Sequence, residues 1–483
     1  MSRNYSFLFP FERIPYGKKI LIYGAGDMGY EYCTQLTMSS FATVIGFVDR
    51  NPNSSRINGI KIYRIDELSD VKFDYIIIAL KSGTNANAAI CDLVRYGVEK
   101  EKIIWIGPRK NAVLPVAEED GTVFCGGHSL NGDTIRISIR CGAGIGDLII
   151  RKPFIEALCN NSNVSVDFYA PIDKDTFEAI FSDCVFIRDF YNDGGAKYAA
   201  RKEQYDLAIT CSYIVGIDGV DFEKIERKSR RFAEVIRLLV KKTNEYGLSP
   251  YPTIQNYIHF ERASREARNC ISAYNYTGVC SIVKEKVSIP LLQTYEEKYN
   301  RLNLKNYITV NYGNDLYKYS DAEYLQISKQ WPVEYFEKWI DFFSREYPDI
   351  SIVQLGTRNS TQLKGADKYV LGESLELVKY VLKGSIFHLD IDGGLVHLAT
   401  HLGTKCVVLF GPTPVSYFGY DQNINIVSEK CNNCSFLYPN IYRCARGFNE
   451  PECMYSITPE IVMEHVDRYM KKRRENEVFI PID

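Results

Sequence analysis

Residues 391–413 read IDGGLVHLATHLGTKCVVLFGPT, and this stretch decides the fold. It follows an apolar run at 385–389 that is typical of a buried strand. It then passes through a glycine pair into a helical pattern and a second apolar run at 405–410. Glycines after a strand let a bulky ligand approach the backbone, and a helix start offers unpaired N–H groups at its positive dipole end. The stretch therefore predicts a phosphate-binding turn between two strands.

Length and composition indicate a multidomain globular protein. The chain has 483 residues, a net charge of −2, 46% hydrophobic residues and 24% charged residues. This length exceeds one hydrophobic core, and the charge balance gives no sign of nucleic-acid binding. No segment approaches the ~20 apolar residues of a membrane span, and the N-terminus lacks a signal-peptide pattern. We expect a cytoplasmic protein.

Apolar strands alternate with helices along the chain, which predicts an α/β fold with parallel sheets. Residues 1–110 form one Rossmann-like unit, and glycines and a proline in residues 111–132 indicate a linker. Residues 133–300 and 301–483 predict two similar lobes with a ligand cleft between them. The first lobe contains a more polar and more helical insertion from residue 215.

The N-terminal unit carries a dinucleotide-binding pattern. Gly24, Gly26 and Gly29 form GxGxxG directly after a strand, and Asp49 ends the next strand, where an acid that binds ribose is expected. The pattern predicts a nucleotide or NAD site; the alternative is a truncated nucleotide fold that serves as a scaffold. GFVDRNP and NGIKIYRIDEL also resemble the small Rossmann-like domain at the ends of many bacterial sugar-modifying proteins. That resemblance implies a nucleotide or nucleotide-sugar partner.

A basic amphipathic pattern lies in the insertion, in FEKIERKSRRFAEVIRLLVKK. Its apolar residues share one helical face, and lysines and arginines occupy the rest. It predicts a domain helix with a solvated basic face. The alternative is contact with an anionic acceptor or with the inner face of the membrane.

Three motifs occur in an order that resembles glycosyltransferase family 9, the heptosyltransferase-like enzymes of bacterial surface polysaccharide assembly. They are GIGDLIIRKPFIEAL, KQWPVEYFEKWIDFF and DGGLVHLATHLGTKCVVLFGPT. The resemblance implies a GT-B fold, meaning two Rossmann-like lobes, with the nucleotide sugar on the C-terminal lobe and the acceptor on the N-terminal lobe. It also implies direct displacement that inverts the anomeric centre.

The resemblance further implies a substrate class. ADP-heptose is the implied donor, and a GDP- or UDP-linked hexose is the alternative. Lipopolysaccharide core, capsule or a protein hydroxyl would be the acceptor.

Sugar transfer to a hydroxyl needs a base for the proton and positive charge for the departing diphosphate. The resemblance makes Asp147 the base and places Lys329 near the phosphates. The alternatives are a carboxylate that caps its helix and a surface lysine before a helix that begins near Pro332. The predicted donor-binding residues are Gly144, Gly146, Asp392, Gly393, Gly394, His397, Gly411, Pro412 and Thr413.

Asp390 and Asp392 match the D-x-D metal motif of another glycosyltransferase fold. Because this pair precedes a glycine and helix phosphate site, we expect transfer that is independent of a catalytic metal, with helix dipole and Lys329 supplying the charge.

Four of the 14 cysteines are clustered: Cys431, Cys434, Cys444 and Cys453 form C-x2-C-x9-C-x8-C in a loop-rich segment. Four thiolates so spaced predict a structural zinc or iron site, with disulfides as the alternative. The pattern resembles the cysteine finger of heptosyltransferases that glycosylate autotransporter proteins, where iron is held.

Two other functions remain open from the residues. One is a bifunctional enzyme with NAD-dependent sugar chemistry in the N-terminal unit. The other is a non-catalytic nucleotide-sugar-binding assembly protein. A homo-oligomer is compatible with all of these functions.

Overall fold

The computed structural model describes residues 7, 9–10, 13–15, 17–39, 42–50, 52, 55–57, 59–107, 123–125, 132–142, 144–160, 162–245, 259–260, 263–264, 266–282, 286–313, 317–320, 323–325, 328–431, 434–435, 444, 448 and 450–478. The chain divides into a smaller unit, Met1–Pro115 with Gly247–Glu266 and Cys434–Asn440, and a larger unit formed by the remainder. Most of the expected linker at 111–132 lies outside the described residues.

The smaller unit contains one six-stranded sheet. Its strands are β1 (Lys19–Tyr23), β2 (Thr43–Val48), β3 (Arg56–Ile57), β4 (Ile60–Tyr63), β5 (Tyr75–Ile78) and β6 (Ile103–Ile104), and its helices are α1 (Asp27–Ser39) and α2 (Gly83–Arg95). The spatial order is β3-β4-β2-β1-β5-β6, and all pairs are parallel except the β3–β4 hairpin. The central strands read as continuous apolar runs because helices cover a parallel sheet on both faces.

The larger unit begins with an N-terminal lobe around a second sheet. Its strands are β7 (Val123–Cys125), β8 (Ile135–Cys141), β9 (Val164–Ala170), β10 (Ile187–Asn192), β11 (Leu207–Cys211) and β12 (Val215–Val220). The order is β12-β11-β8-β9-β10-β7, with antiparallel strands only at the two edges. The helices are α3 (Ile145–Cys159), α4 (Lys174–Phe181), α5 (Ala196–Arg201), α6 (Phe222–Lys228) and α7 (Arg230–Glu245).

A C-terminal lobe follows, with a third sheet. Its strands are β13 (Tyr307–Asn311), β14 (Tyr317–Ser320), β15 (Glu323–Leu325), β16 (Ser351–Gly356), β17 (Lys368–Leu371), β18 (His388–Ile391), β19 (Cys406–Phe410) and β20 (Ile424–Val427). Six are parallel in the order β17-β16-β13-β18-β19-β20, and β14 and β15 form a separate antiparallel ribbon. The helices are α8 (Glu296–Arg301), α9 (Val333–Glu346), α10 (Leu375–Gly384), α11 (Gly394–Leu402), α12 (Val415–Phe418), α13 (Glu452–Tyr455) and α14 (Pro459–Val478).

These sheets confirm the expected α/β class, with one Rossmann-like unit and the two Rossmann-like lobes of a GT-B fold. Three details differ from expectation. The strand expected from 385 begins at His388, because Ser385 ends α10 and its hydroxyl donates to the carbonyl of Leu382. Helix α3 begins at Ile145 instead of about residue 148. Residues 215–220, expected in a helical insertion, form the edge strand β12.

Two buried lysines bond to the segment that connects the lobes, which contains Ser288 and Pro290. The ammonium group of Lys152, on α3, donates to the carbonyl oxygens of Ile180 and Ser288, each 2.8 Å away, and pairs with Asp183. Lys152 is fully buried, and its bond to Ser288 attaches the connecting segment to the N-terminal lobe.

The second lysine makes the equivalent contacts from the C-terminal lobe. The ammonium group of Lys379, on α10, donates to the carbonyls of Ala179 and Pro290 and pairs with Glu376. Burial lowers the pKa of Lys379, and the hydrogen bond and charge of Glu376 act in the opposite direction. Both lysines thus satisfy carbonyls at the end of α4 and along the connection, which ties the lobes together.

Within the described ranges, no helix combines the length and the apolar character needed to cross a membrane.

Candidate active site

Two glycines of different lobes touch at the starts of α3 and α11. A Cβ atom built on Gly146 would lie 2.6 Å from Cδ2 of His397 and 3.3 Å from Cα of Gly394. A Cβ atom on Gly394 would lie 3.1 Å from Cβ of Ile145. These separations are too short for a side chain, so the two first turns approach almost backbone to backbone.

Among the residues that the structure describes, no side chain caps the start of α3 or of α11. The residues that precede the first turns are Gly144 for α3 and Gly393 for α11, and glycine has no side chain with which to cap a helix. The first N–H groups and the positive dipole ends of both helices therefore meet at one point of the larger unit. Such a point favours an anionic ligand.

Asp147 is the third residue of α3 and has a buried cationic partner. Its Oδ1 lies 3.3 Å from Nη2 of Arg151, one turn later; the side chain of Asp147 is 33% exposed and that of Arg151 is 5% exposed. Burial alone would lower the pKa of Arg151, but the charge of Asp147 raises it, and the net shift is upward. Arg151 therefore stays charged and orients Asp147.

Lys329 contacts the loop that leads into α11. Its Nζ donates to the carbonyl of Asp392 at 2.6 Å and lies 3.9 Å from Oδ2 of the same residue. Two residues later, Trp331 is fully buried and its indole N–H donates to the carbonyl of Ile457 at 2.7 Å. The Lys-x-Trp-Pro pattern thus anchors the lysine beside the glycine pair, because its tryptophan is locked in the core of the lobe.

Asp390 and Asp392 have different environments. Asp390 is fully buried and accepts hydrogen bonds from Nδ2 of Asn311 at 2.9 Å and from the N–H of Ile391 at 2.7 Å. A ring nitrogen of His388 lies 3.3 Å from its Oδ2. Asp390 is therefore satisfied inside the lobe, and Asp392 is the carboxylate that meets Lys329.

His397 lies one turn into α11 within a polar chain. Its Nδ1 is 2.7 Å from the hydroxyl of Tyr420, and the same hydroxyl is 3.2 Å from Nε2 of His401. Burial lowers the pKa of His397, with the charges of Asp392 and Asp147 acting against that shift, and burial lowers the pKa of His401 to about 3. Both imidazoles are neutral at pH 7.

The end of β19 contributes the remaining predicted donor-binding residues. Gly411 leaves no room for a side chain because Met454 of α13 packs against it. Pro412 and Thr413 follow at the carboxyl edge of the sheet, where ligands of open α/β sheets bind. The Thr413 hydroxyl is buried and has no hydrogen-bond partner within the described ranges, which suits a ligand oxygen.

In the smaller unit, Asp49 forms a hydrogen bond with the glycine loop at residues 24–29. Oδ2 of Asp49 accepts a hydrogen bond from the N–H of Ala25 at 2.9 Å, and Gly24 has a φ of +104°. Gly29 packs against the carbonyl of Gly24, whereas a Cβ atom on Gly26 would meet nothing within 4 Å. The motif therefore forms a tight turn from strand to helix, with one carboxylate oxygen committed to the loop.

The four predicted metal ligands are all cysteines outside any disulfide. Cys431, Cys444 and Cys453 belong to the larger unit and Cys434 to the smaller. In the described part of the chain, the three cysteines of the larger unit do not form a group with all sulfur atoms within 4.8 Å. Glu156, Asp183 and Cys184 do form such a group, but Lys152 pairs with both of its carboxylates.

Arg151, Tyr213, His401 and Tyr420 are site residues that the motifs did not reveal. Arg151 and His401 each lie four residues after a predicted site residue, so helical spacing was a usable signal for both. Tyr213 follows β11, and the guanidinium carbon of Arg151 lies 5.8 Å from the centre of its ring. Tyr213 and Tyr420 come from other elements and gave no local signal.

One family model and several solved structures are similar to parts of the chain. A family model described as C2185-like, N-terminal, matches residues 16–104. No curated protein matches the chain. A glycosyl transferase of family 9 from Veillonella parvula is similar in structure, with 16% identity, 71% of this chain and 99% of that chain covered, and a TM-score of 0.46.

Two further solved structures are similar. E. coli ADP-heptose lps heptosyltransferase II has 14% identity, 70% and 100% coverage of the two chains and a TM-score of 0.42. TibC, an iron-containing dodecameric glycosyltransferase from enterotoxigenic E. coli, has 13% identity, 71% and 81% coverage and a TM-score of 0.47. All three share less than 20% sequence identity with this chain over about 70% of its length.

The close contact of Gly146 with Gly394 and His397 predicts that one added methyl group destabilises the larger unit. We expect Gly146→Ala to lower the free energy of unfolding of the larger unit by about 1–3 kcal/mol, because the new Cβ atom overlaps His397. Gly142→Ala is the matched control, since the nearest atom to its Cβ position is 3.8 Å away. Urea unfolding of both variants measures the difference. Equal stability of the two variants would contradict the contact.

Proposed function

We propose that the larger unit is a glycosyltransferase that moves a sugar from a nucleoside diphosphate to an acceptor hydroxyl. The observation that carries this proposal is the convergence of a carboxylate, a lysine and two uncapped helix starts at the glycine contact. Asp147 lies on one side of that contact and Lys329 on the other. Base and leaving-group charge are the two demands of this chemistry.

In the proposed reaction, Asp147 accepts the proton of the acceptor hydroxyl while that oxygen attacks the anomeric carbon. Lys329 and the first N–H groups of α11 stabilise the negative charge of the departing diphosphate. The displacement inverts the anomeric centre, forms no covalent sugar intermediate and draws its positive charge from the protein instead of a catalytic metal.

The two lobes are proposed to bind different substrates. Residues 301–483 hold the nucleotide sugar, through Asp392, the Gly393–Gly394 turn and the strand end at 411–413. Residues 133–300 hold the acceptor, a bacterial surface glycan or a protein hydroxyl. Residues 1–110 are proposed to bind a nucleotide at the glycine loop.

ADP-heptose is the first donor to test because the motifs imply it, with GDP- and UDP-hexoses as alternatives.

The proposed location is the cytoplasm. Contact with the inner face of the membrane would use the exposed basic residues of α7, among them Arg230, Arg231 and Lys241.

Release of nucleotide from ADP-, GDP- and UDP-sugars tests the function. We expect one donor to support turnover, and Asp147→Asn to lower kcat by about 10²- to 10⁴-fold because the base is lost. Asp175→Asn is the matched control: it removes an exposed carboxylate from the first turn of another helix in the same lobe. Lys329→Met should also lower kcat, whereas Lys383→Met, an exposed lysine of α10, should not.

Two outcomes would overturn the proposal. Equal turnover by Asp147→Asn and Asp175→Asn would remove Asp147 from the reaction. Tight nucleotide binding without release from any donor, with candidate acceptors present, would favour a non-catalytic assembly protein.

We further propose a structural zinc or iron site at Cys431, Cys434, Cys444 and Cys453, on the chemistry of four thiols in a loop-rich segment. Elemental analysis of the purified protein should find one metal ion per chain, and Cys453→Ser should lose it. Cys280→Ser, a partly buried cysteine elsewhere, should keep it. Metal retained by Cys453→Ser, or absent from the wild type, would exclude this ligand set.

A further inference from the structure

Two cysteines of the N-terminal lobe lie side by side in its sheet. Cys141 is the last residue of β8 and Cys211 is the last residue of β11, and the parallel register pairs these two residues. Paired residues of neighbouring strands point to the same face of a sheet, and the strands lie about 4.8 Å apart. The Cα atoms of cysteines in a disulfide are usually about 4.4–6.8 Å apart. The backbone therefore has the spacing that a disulfide needs.

The two thiols are buried and act on one another. Cys141 is 3% exposed and Cys211 is fully buried, and neither belongs to a disulfide. Burial raises the pKa of Cys141, and its hydrogen bond with Cys211 raises it further. Burial alone would also raise the pKa of Cys211, but the hydrogen bond with Cys141 and the charge of Arg151 lower it, and the net shift is downward. Cys211 is therefore the stronger acid of the pair and supplies the thiolate, which is the nucleophilic form of a cysteine.

Arg151 lies between the cysteine pair and Asp147. Its Nη2 pairs with Asp147, whereas its Nη1 is buried and has no hydrogen-bond partner in the described part of the chain. A Cβ atom built on Gly142 would lie 3.8 Å from this Nη1, so the guanidinium lies beside the residue that follows Cys141. Burial acts to lower the pKa of Arg151, and the charges of Asp147 and of both cysteines raise it. One guanidinium thus serves the candidate base and the cysteine pair.

We propose that Cys141 and Cys211 are a modification site, at which a hydroperoxide joins the two cysteines in a reversible disulfide. The thiolate sulfur of Cys211 attacks the terminal peroxide oxygen, the O–O bond breaks, and the released alkoxide or hydroxide takes up a proton. The sulfur of Cys141 then attacks the sulfenic acid on Cys211, and its proton leaves with the hydroxyl group as water. Two thiols and one hydroperoxide give one disulfide, one water molecule and one alcohol, which is a second water molecule when the oxidant is hydrogen peroxide.

The disulfide would act on Asp147 through Arg151. In the reduced pair, the Cys211 thiolate and the Asp147 carboxylate share one guanidinium. In the disulfide both sulfur atoms are uncharged, so Arg151 pairs with Asp147 alone. Because a carboxylate that is paired more strongly with a cation is a weaker base, we expect oxidation to lower turnover. This effect on turnover rests on the proposed function, whereas formation of the disulfide does not.

Peptide mapping of the full chain tests the disulfide directly. Cleavage by trypsin after lysine and arginine places Cys141 in a peptide of residues 141–151 and Cys211 in a peptide of residues 203–224, and neither peptide contains another cysteine. After treatment with hydrogen peroxide and alkylation of the remaining thiols, we expect these two peptides as one linked species in the mass spectrum. Dithiothreitol should separate them.

Two variants identify the pair. Cys211→Ser should leave the peptide of residues 141–151 unlinked after peroxide. Cys159→Ser removes a buried cysteine of α3 in the same lobe, and as the matched control it should keep the linked species. Two unlinked peptides in the peroxide-treated wild type would overturn the proposal. Since mapping needs no turnover, a failure of the proposed glycosyl transfer cannot be mistaken for a failure of the disulfide.

Turnover before and after peroxide tests the effect on Asp147. We expect peroxide to lower kcat of the wild type, by at most about tenfold for each unit by which the pKa of the base falls, and dithiothreitol to restore it. Cys211→Ser should keep a larger fraction of its own kcat after the same treatment. Equal fractional losses in the wild type and in Cys211→Ser would overturn the effect of the disulfide on Asp147.

Discussion

The close contact between Gly146 and Gly394 is the constraint on which the candidate site depends. Each glycine lies in the first turn of a helix from a different lobe, and any larger residue would separate the two turns. Separation would remove Asp147 from the neighbourhood of His397 and Asp392, and it would split two positive helix ends that now meet. The lobes therefore supply one site together, and neither supplies it alone.

The segment that connects the lobes is tied to the same site. Val287 donates to His401, and the next carbonyls, of Ser288 and Pro290, accept from Lys152 and Lys379. A buried ammonium group is costly unless several oxygens replace its water, and these carbonyls do so. The connection is thus bonded to both lobes and, through His401 and Tyr420, lies in one chain of contacts with His397.

The sequence was sufficient for the fold class because apolar strand runs and glycine turns are local properties, and they predicted the three sheets. The three motifs singled out Asp147, Lys329 and His397, which lie at or beside the starts of α3 and α11. Their roles stay predictions. Long-range contacts were not readable. Nothing near Tyr420 in the sequence indicates that its hydroxyl bridges two histidines. Asp390 is bonded to Asn311 inside the lobe, whereas Asp392 contacts Lys329. The D-x-D pattern alone does not indicate this difference.

The central claim is that a nucleotide sugar binds at the junction of the lobes, and a crystal structure with the tightest-binding nucleoside diphosphate tests it most directly. The account predicts diphosphate oxygens within hydrogen-bond distance, about 2.7–3.2 Å, of Nζ of Lys329 and of the first N–H groups of α11. A diphosphate bound only at the Gly24–Gly29 loop, with the junction empty at saturating nucleotide, would contradict it.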